Sequence, residues 1–294
     1  LPQSKLKLIK GWPFIYWISD AFREKFLGVN LATYFNVNFG LKTANNNKYL
    51  KFFWEVLDIS KRCYYFIYKA GNFNKWYGNK WLVIDYEHQK KNIANEKSSG
   101  FSGESNYRKV GVICPTVGSK GASFRLNFDS IFSNADLGIY RNTKIADIDV
   151  YALLGYLNSK LVAYINDMLN PTVNIMPNDL KRLPFVIFKN HHESVIKIAA
   201  KKCVELKKKN EESQFTSPDF TVSPIQSLIE KDIRDRVRIF LSEENLIFSF
   251  VVLYESIIND FIFQVYELSD HDIQQVLENE GLSVGEYPEH PKAL

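Results

Sequence analysis

Cysteine is scarce: the chain holds only Cys63, Cys114 and Cys203, with no C-x-x-C pair among them. Three widely spaced thiols make neither a disulfide framework nor a zinc ribbon, so the expected compartment is a reducing one, the cytoplasm. Histidine is nearly as rare. The five, at 88, 191, 192, 271 and 290, show no i, i+4 ligand pair on a helix, which argues against a zinc site. No G-x-G-x-x-G, G-x-x-x-x-G-K-[ST] or G-x-S-x-G occurs, which removes the common nucleotide-cradle and serine-nucleophile motifs. No uninterrupted apolar run approaches the roughly 18 residues of a membrane span. The start, LPQSKLKLIKGWPF, lacks both an apolar signal core and a methionine, as expected for a piece of a longer protein.

Present in quantity are aromatics, 15% of 294 residues with 22 Phe, 16 Tyr and 5 Trp, and an uneven charge. From residue 239 onward eleven acids face a single lysine, Lys292, whereas the preceding residues carry 36 Lys and Arg against 22 acids. A basic body with an acidic tail has the charge of a polyanion binder, nucleic acid being the commonest polyanion. Solvated lysine-rich faces account for the same numbers equally well.

Hydrophobic patterning divides the chain. Helical spacing with a Ser-Asp cap marks residues 18–27, ISDAFREKFL. Between about 32 and 140, short β-branched and aromatic runs are broken by Gly and Asn, predicting a curved, mostly antiparallel sheet with helical cover. Residues 87–108 read as a mobile polar loop whose lysines suit phosphates. Residues 147–169 read as one amphipathic helix closed by Asn170-Pro171, followed by a short strand, RLPFVIF. A second helix spans 192–209. After a linker at 210–224 come helices near 225–241, 243–267 and 269–280. The expected class is α+β: a recognition domain over 1–190 and an all-helical bracing unit over 191–294.

Basic side chains interleaved with amides and aromatics recur in three groups. The first is Lys42, Thr43, Asn45, Asn46, Asn47 and Lys48, with Tyr49 to Val56 read as the strand anchoring it in the core. The second, in AGNFNKWYGNKW, holds Asn72, Asn74, Lys75, Trp76, Tyr77, Asn79 and Lys80. The third, in VGSKGASFRLN, holds Ser119, Lys120, Ser123 and Arg125. Lysine and arginine neutralise phosphates, asparagine pairs bidentately with adenine, and aromatic rings stack on extruded bases. Each group alone is also ordinary turn chemistry. A metal-dependent nuclease would draw on Asp167 with Asp179-Leu180-Lys181, or on Glu205-Leu206-Lys207, triplets that chance supplies freely in so charged a chain. A protein-interaction scaffold is the remaining rival.

The order KGWPFIYWISDAFREKF, FGLKTANNNKYLKFFWEV, KAGNFNKWYGNKWLVIDYE resembles the C-terminal region of PglX-type DNA adenine methyltransferases of BREX phage defence. These are related to type IIG restriction–modification enzymes. Further on, YALLGYLNSKLVAYINDMLNPTVNIMPNDLKRLPFV and LYESIINDFIFQVYELSDHDIQQVLENEG are similar to the family's closing helix and helical end. The resemblance implies duplex DNA as partner, an N-terminal methyltransferase domain and other defence proteins as further partners, and no membrane. It implies methyl transfer from S-adenosylmethionine by the parent enzyme, with this chain choosing the site. Two departures stand out. The family's Gly-Asp-Asn after the first threonine is Ala44-Asn45-Asn46 here, one acid fewer, so a different target preference is the expectation. Its Asn-Pro-Pro-aromatic motif and glycine-rich cofactor loop are absent, and Asn170-Pro171-Thr172 is no substitute, so no cofactor and no catalytic residue are expected in this chain.

Overall fold

The computed structural model describes residues 15–56, 64–118, 120–142, 147–229 and 232–281. The opening of the first family-like motif, Ser119, Cys63 and the acids beyond 281 lie outside them. Ser19 accepts from the Phe22 amide and starts α1 (Asp20–Glu24). The strands follow: β1 (Phe35–Phe39), β2 (Leu41–Lys42), β3 (Leu50–Phe52), β4 (Tyr64–Tyr68) and β5 (Leu82–Asp85). After α2 (Tyr86–Ala94) come β6 (Gly100–Phe101), β7 (Gly111–Pro115), β8 (Arg125–Asn127), β9 (Ile131–Phe132) and β10 (Asp136–Arg141). The chain ends in helices: α3 (Val150–Leu157), α4 (Lys160–Leu169), α5 (Pro177–Lys181), α6 (Asn190–Glu211), α7 (Ile233–Val265) and α8 (Asp270–Glu280). The α+β class is as expected.

One sheet has the antiparallel order β1-β10-β7-β8; a second has the order β3-β5-β4-β9, parallel only between β4 and β9; β2 and β6 form a separate pair. The sheets meet where the Phe132 ring lies on Gly138 of β10, so close that a side chain there would overlap it. One apolar core, including Phe35, Val37 and Leu137 of the first sheet, continues through Leu153, Ile165, Ile196, Ile262 and Val276 of the helices. A smaller one, including Tyr68, Ile84, Ile113 and Phe132, fills the space around the second sheet. Each buried Ile or Leu contributes about 1.5–3 kcal/mol of transfer free energy.

Four local expectations differ from the structure. The helix expected over 147–169 is two: Asn158, still helical in its backbone, closes the first, and its side-chain amide accepts from the Phe124 amide (3.0 Å) and donates to the Phe124 carbonyl (2.9 Å). Ser159 then caps α4. Residues 86–94 are helical, not loop, since Asp85 accepts from the His88 amide as an N-cap. RLPFVIF runs extended without becoming a strand; its Pro184 carbonyl accepts from the hydroxyls of Tyr156 (2.5 Å) and Tyr266 (2.7 Å), whose rings stack. The two helices expected on either side of residue 242 are one, α7, since Glu243 and Glu244 sit at its side rather than at a start. By length and composition α7 could cross a membrane, contrary to the reading of the apolar runs. Its inward face, with Val251, Ile258, Ile262 and Phe263, is buried in the core.

Arg125 of β8 and Asp136 of β10 are both fully buried, Nη2 lying 3.7 Å from Oδ1. Asp136 accepts from the Ala70 amide and the Ser133 hydroxyl, and Arg125 donates to the Ala70 carbonyl. Nε and Nη1 of Arg125 and Oδ1 of Asp136 have no hydrogen-bond partner. Burial, against the opposing pull of Arg125, raises the Asp136 carboxyl to about 6. Removing one member strands the other. Asp136→Ala is therefore expected to lower stability by about 3–5 kcal/mol, and Arg125→Met with Asp136→Leu to recover most of it, both read from urea unfolding midpoints.

Candidate nucleic-acid interface

The first sequence group lies at the surface. Lys42 ends β2, which is paired with β6, so the tip borders the segment running from α2 to β6. Ala44 takes a left-handed conformation, φ +63°, and a helical turn, Asn46–Tyr49, follows. The tip is held by its own side chains: Asn45 accepts from the Lys48 amide at 3.1 Å, and the buried Thr43 hydroxyl donates to Asn46 Oδ1 at 2.8 Å. Lys48 reaches Glu96 at 2.9 Å, joining the tip to the end of α2. Its bonds to Tyr49 and Glu96 raise its pKa and keep it charged. Lys42, Asn45, Asn46, Asn47 and Lys48 are exposed, with Lys91 and Lys97 of the neighbouring segment. Cations and amides thus share one edge, the combination that contacts phosphates and base edges.

The strand read as anchoring this tip in the core is different in form. Only Leu50–Phe52 is extended; Phe53–Glu55 make a 3-10 turn, and Phe52 and Trp54 are 41% and 53% exposed. Sequence reasoning missed these two rings because aromatic density reads as core. The alternation needed to place them outside is broken by the turn.

Residues of the second group occupy a different place from the one expected. Trp76 is buried, and its indole Nε1 donates to Glu255 of α7 at 2.6 Å. Tyr77 donates to Asp219 at 2.5 Å, and burial together with that bond raises its phenol well above the usual range. Lys75 donates to the Asn158 carbonyl at 3.2 Å, and Asn74 bonds Glu211 of α6. Asn79, buried at φ +62°, donates to the Asn72 carbonyl. Lys80 lies over the Tyr77 ring, and burial lowers its pKa. This loop clamps the helices onto the sheet through most of its polar groups, while Asn72 stays exposed. Among the described residues of the third group Lys120 alone is exposed; Ser123 is buried, and Arg125 forms the buried pair described above. The second and third groups do meet, but through backbone in the core, where Trp76 bridges Arg125. Burial thus removes Thr43, Tyr77, Asn79, Ser123 and Arg125 from any surface contact, while Asn74 and Lys75 are half-exposed and bonded within the clamp.

Of the acids weighed for cleavage chemistry, Asp179 and Glu205 have structural partners, Glu205 pairing with Lys202 at 2.9 Å. Asp179 accepts from the Met176 amide and from Asn170, and pairs with Arg182 at 2.9 Å. Asp167 lines a separate cleft with Glu280, and no group of three metal-ligating side chains occurs among the described residues.

The α+β body presents a basic, amide-rich edge, and in sequence the chain is similar to two curated proteins. The chain is similar to adenine-specific methyltransferase BrxX of Escherichia coli O9:H4 (strain HS), 27% identical over 232 residues, which is 74% of this chain. It is also similar to adenine-specific methyltransferase PglX of Lacticaseibacillus casei (strain Zhang), 23% identical over 219 residues, or 67% of the chain. Each match covers 18% of the relative, so the chain spans less than a fifth of the length of these curated proteins. No family model matches.

Two expectations follow. Trp76→Phe removes a hydrogen bond to a carboxylate and is expected to cost about 1.5–3 kcal/mol in urea unfolding, with no change in any DNA sequence preference. A preference change at unaltered stability would instead return this loop to the surface role. Ala44→Gly, which relieves the left-handed strain, is expected to raise the thermal midpoint, a gain of up to about 1 kcal/mol.

Proposed function

We propose that this chain is the sequence-selecting part of a site-specific DNA adenine N6-methyltransferase of phage defence or restriction–modification, working in the cytoplasm. The observation that carries the reading is its similarity to two adenine-specific methyltransferases over most of its own length and a small part of theirs. In this reading the catalytic half of the parent holds S-adenosylmethionine and the extruded adenine. Residues of this chain offer neither the Asn-Pro-Pro-aromatic motif nor the glycine-rich loop for that work. Its part is to bind duplex DNA along the edge that runs from Lys42 to Lys48 and past Lys91 and Lys97, with Lys120 as a further phosphate contact. The helical unit braces that edge and docks on the catalytic half or on other defence proteins.

Amide roles divide by what already occupies them. Asn45 and Asn46 accept bonds that build the tip, whereas Asn47 is exposed and outside those bonds. Asn47 is therefore the first candidate to read a base edge, with Asn46 able to donate through its amide nitrogen.

Duplex affinity is expected to fall steeply with salt, by a logarithmic slope of about −0.9 for each phosphate engaged. Lys42→Ala and Lys120→Ala should each weaken binding to all sequences and reduce that slope by about 1. Asn47→Ala in the full-length parent should relax the pattern of methylated adenines without lowering stability. Absence of duplex binding at low salt, by this chain and by the full-length parent alike, overturns the reading.

A further inference from the structure

Beside the tip lies a groove whose walls include Asn46, Asn47, Lys51, Phe52, Lys69 and Trp81. The Phe52 ring that lines it stacks face to face on the Trp54 ring behind, centroids 4.6 Å apart and planes 6° from parallel, with the edge of Phe53 against Trp54 at 5.0 Å. Two large rings stacked in water expose apolar area that a folded chain ordinarily covers. Their position is fixed. The Phe52 amide donates to Glu55 Oε2 at 2.8 Å, the Phe53 amide donates to the Trp81 carbonyl at 2.9 Å, and Phe52 is in register with Leu82 of β5. Glu55, the one acid lining the groove, is thereby occupied on the backbone, and the remaining charges there are Lys51 and Lys69.

We propose that this groove receives a single unpaired nucleobase of a DNA strand, stacked on the Phe52–Trp54 pair, an assignment that rests on the DNA-recognition reading above. A planar heteroaromatic ring extends an existing stack at no conformational cost to rings already held in place. Lys51 and Lys69 meet the flanking phosphates, and the amide of Asn47 meets the ring's hydrogen-bonding edge. A base inside a duplex has both faces covered by its neighbours. The occupant is therefore a base extruded from the duplex or one on a single strand. The groove adjoins the Lys42–Lys48 edge and shares Asn46 and Asn47 with it, but differs in what it takes: the edge tracks an intact duplex, the groove a base that has left it.

Four probes test this with the intact chain: a blunt duplex, the same duplex with one extrahelical 2-aminopurine, a single strand carrying 2-aminopurine, and free adenosine monophosphate. The wild type is expected to quench 2-aminopurine in both oligonucleotides. Trp54→Ala is expected to abolish the quench and weaken both complexes about 5- to 150-fold, to leave the blunt duplex unchanged, and Trp54→Phe to restore binding. Should Trp54→Ala fail to fold, Lys51→Ala is expected to weaken the same two complexes. Blunt-duplex binding without any quench overturns the base site and leaves the recognition reading standing. Adenosine monophosphate binding as tightly as the strand, with the same loss in Trp54→Ala, overturns assignment to a strand. Failure of every probe, the blunt duplex included, overturns both.

Discussion

A cluster of directional bonds centred on one indole holds the β-rich and helical parts of this molecule in register. Trp76 reaches from a loop of the β-rich part into the helical layer, where its Nε1 meets Glu255 of α7, and its backbone simultaneously bridges Arg125 at the edge of a sheet. Around it Tyr77, Asn74 and Lys75 make parallel connections to Asp219, Glu211 and Asn158. These bonds are directional, whereas the apolar core beneath them is not. The core sets how tightly sheet and helices adhere; the clamp sets their relative position, and with it the placement of every surface group carried on either.

The same chemistry explains what could be read from the sequence. Caps act locally, so the Ser-Asp pair at 19–20 announced a helix where a helix stands. The α+β class followed from periodicity, which depends on neighbours a few residues away. Helix boundaries failed wherever a distant partner intervened. Asn158 breaks a strongly helical run because Phe124, more than thirty residues earlier, takes both ends of its amide. Glu243 and Glu244 looked like a helix start but lie within α7.

The sequence shows the types of the candidate site residues but not which of them reach the surface. A lysine, an asparagine and a tyrosine in a glycine-flanked loop serve a polyanion or an internal clamp equally well, and composition does not distinguish the two. Position in the fold does. The Lys42–Lys48 tip is satisfied from within itself and from Glu96 beside it, so its outward groups remain available. The 72–80 loop is satisfied by α6, α7 and the segment between them, so its groups do not. Arg125 is the extreme case, a cation in the middle of a basic motif that the fold buries against Asp136.

That contrast bears on how such a chain can diversify. Substitutions at a tip that is bonded mostly to itself leave the sheet and helices undisturbed, so the 42–48 segment can wander through sequence space one residue at a time. The clamp has no such freedom, because each of its polar groups answers to a partner on another element and a change on one side needs a matching change on the other. Variation among related chains is then expected to be rapid and independent in the first segment, and slow and paired in the second.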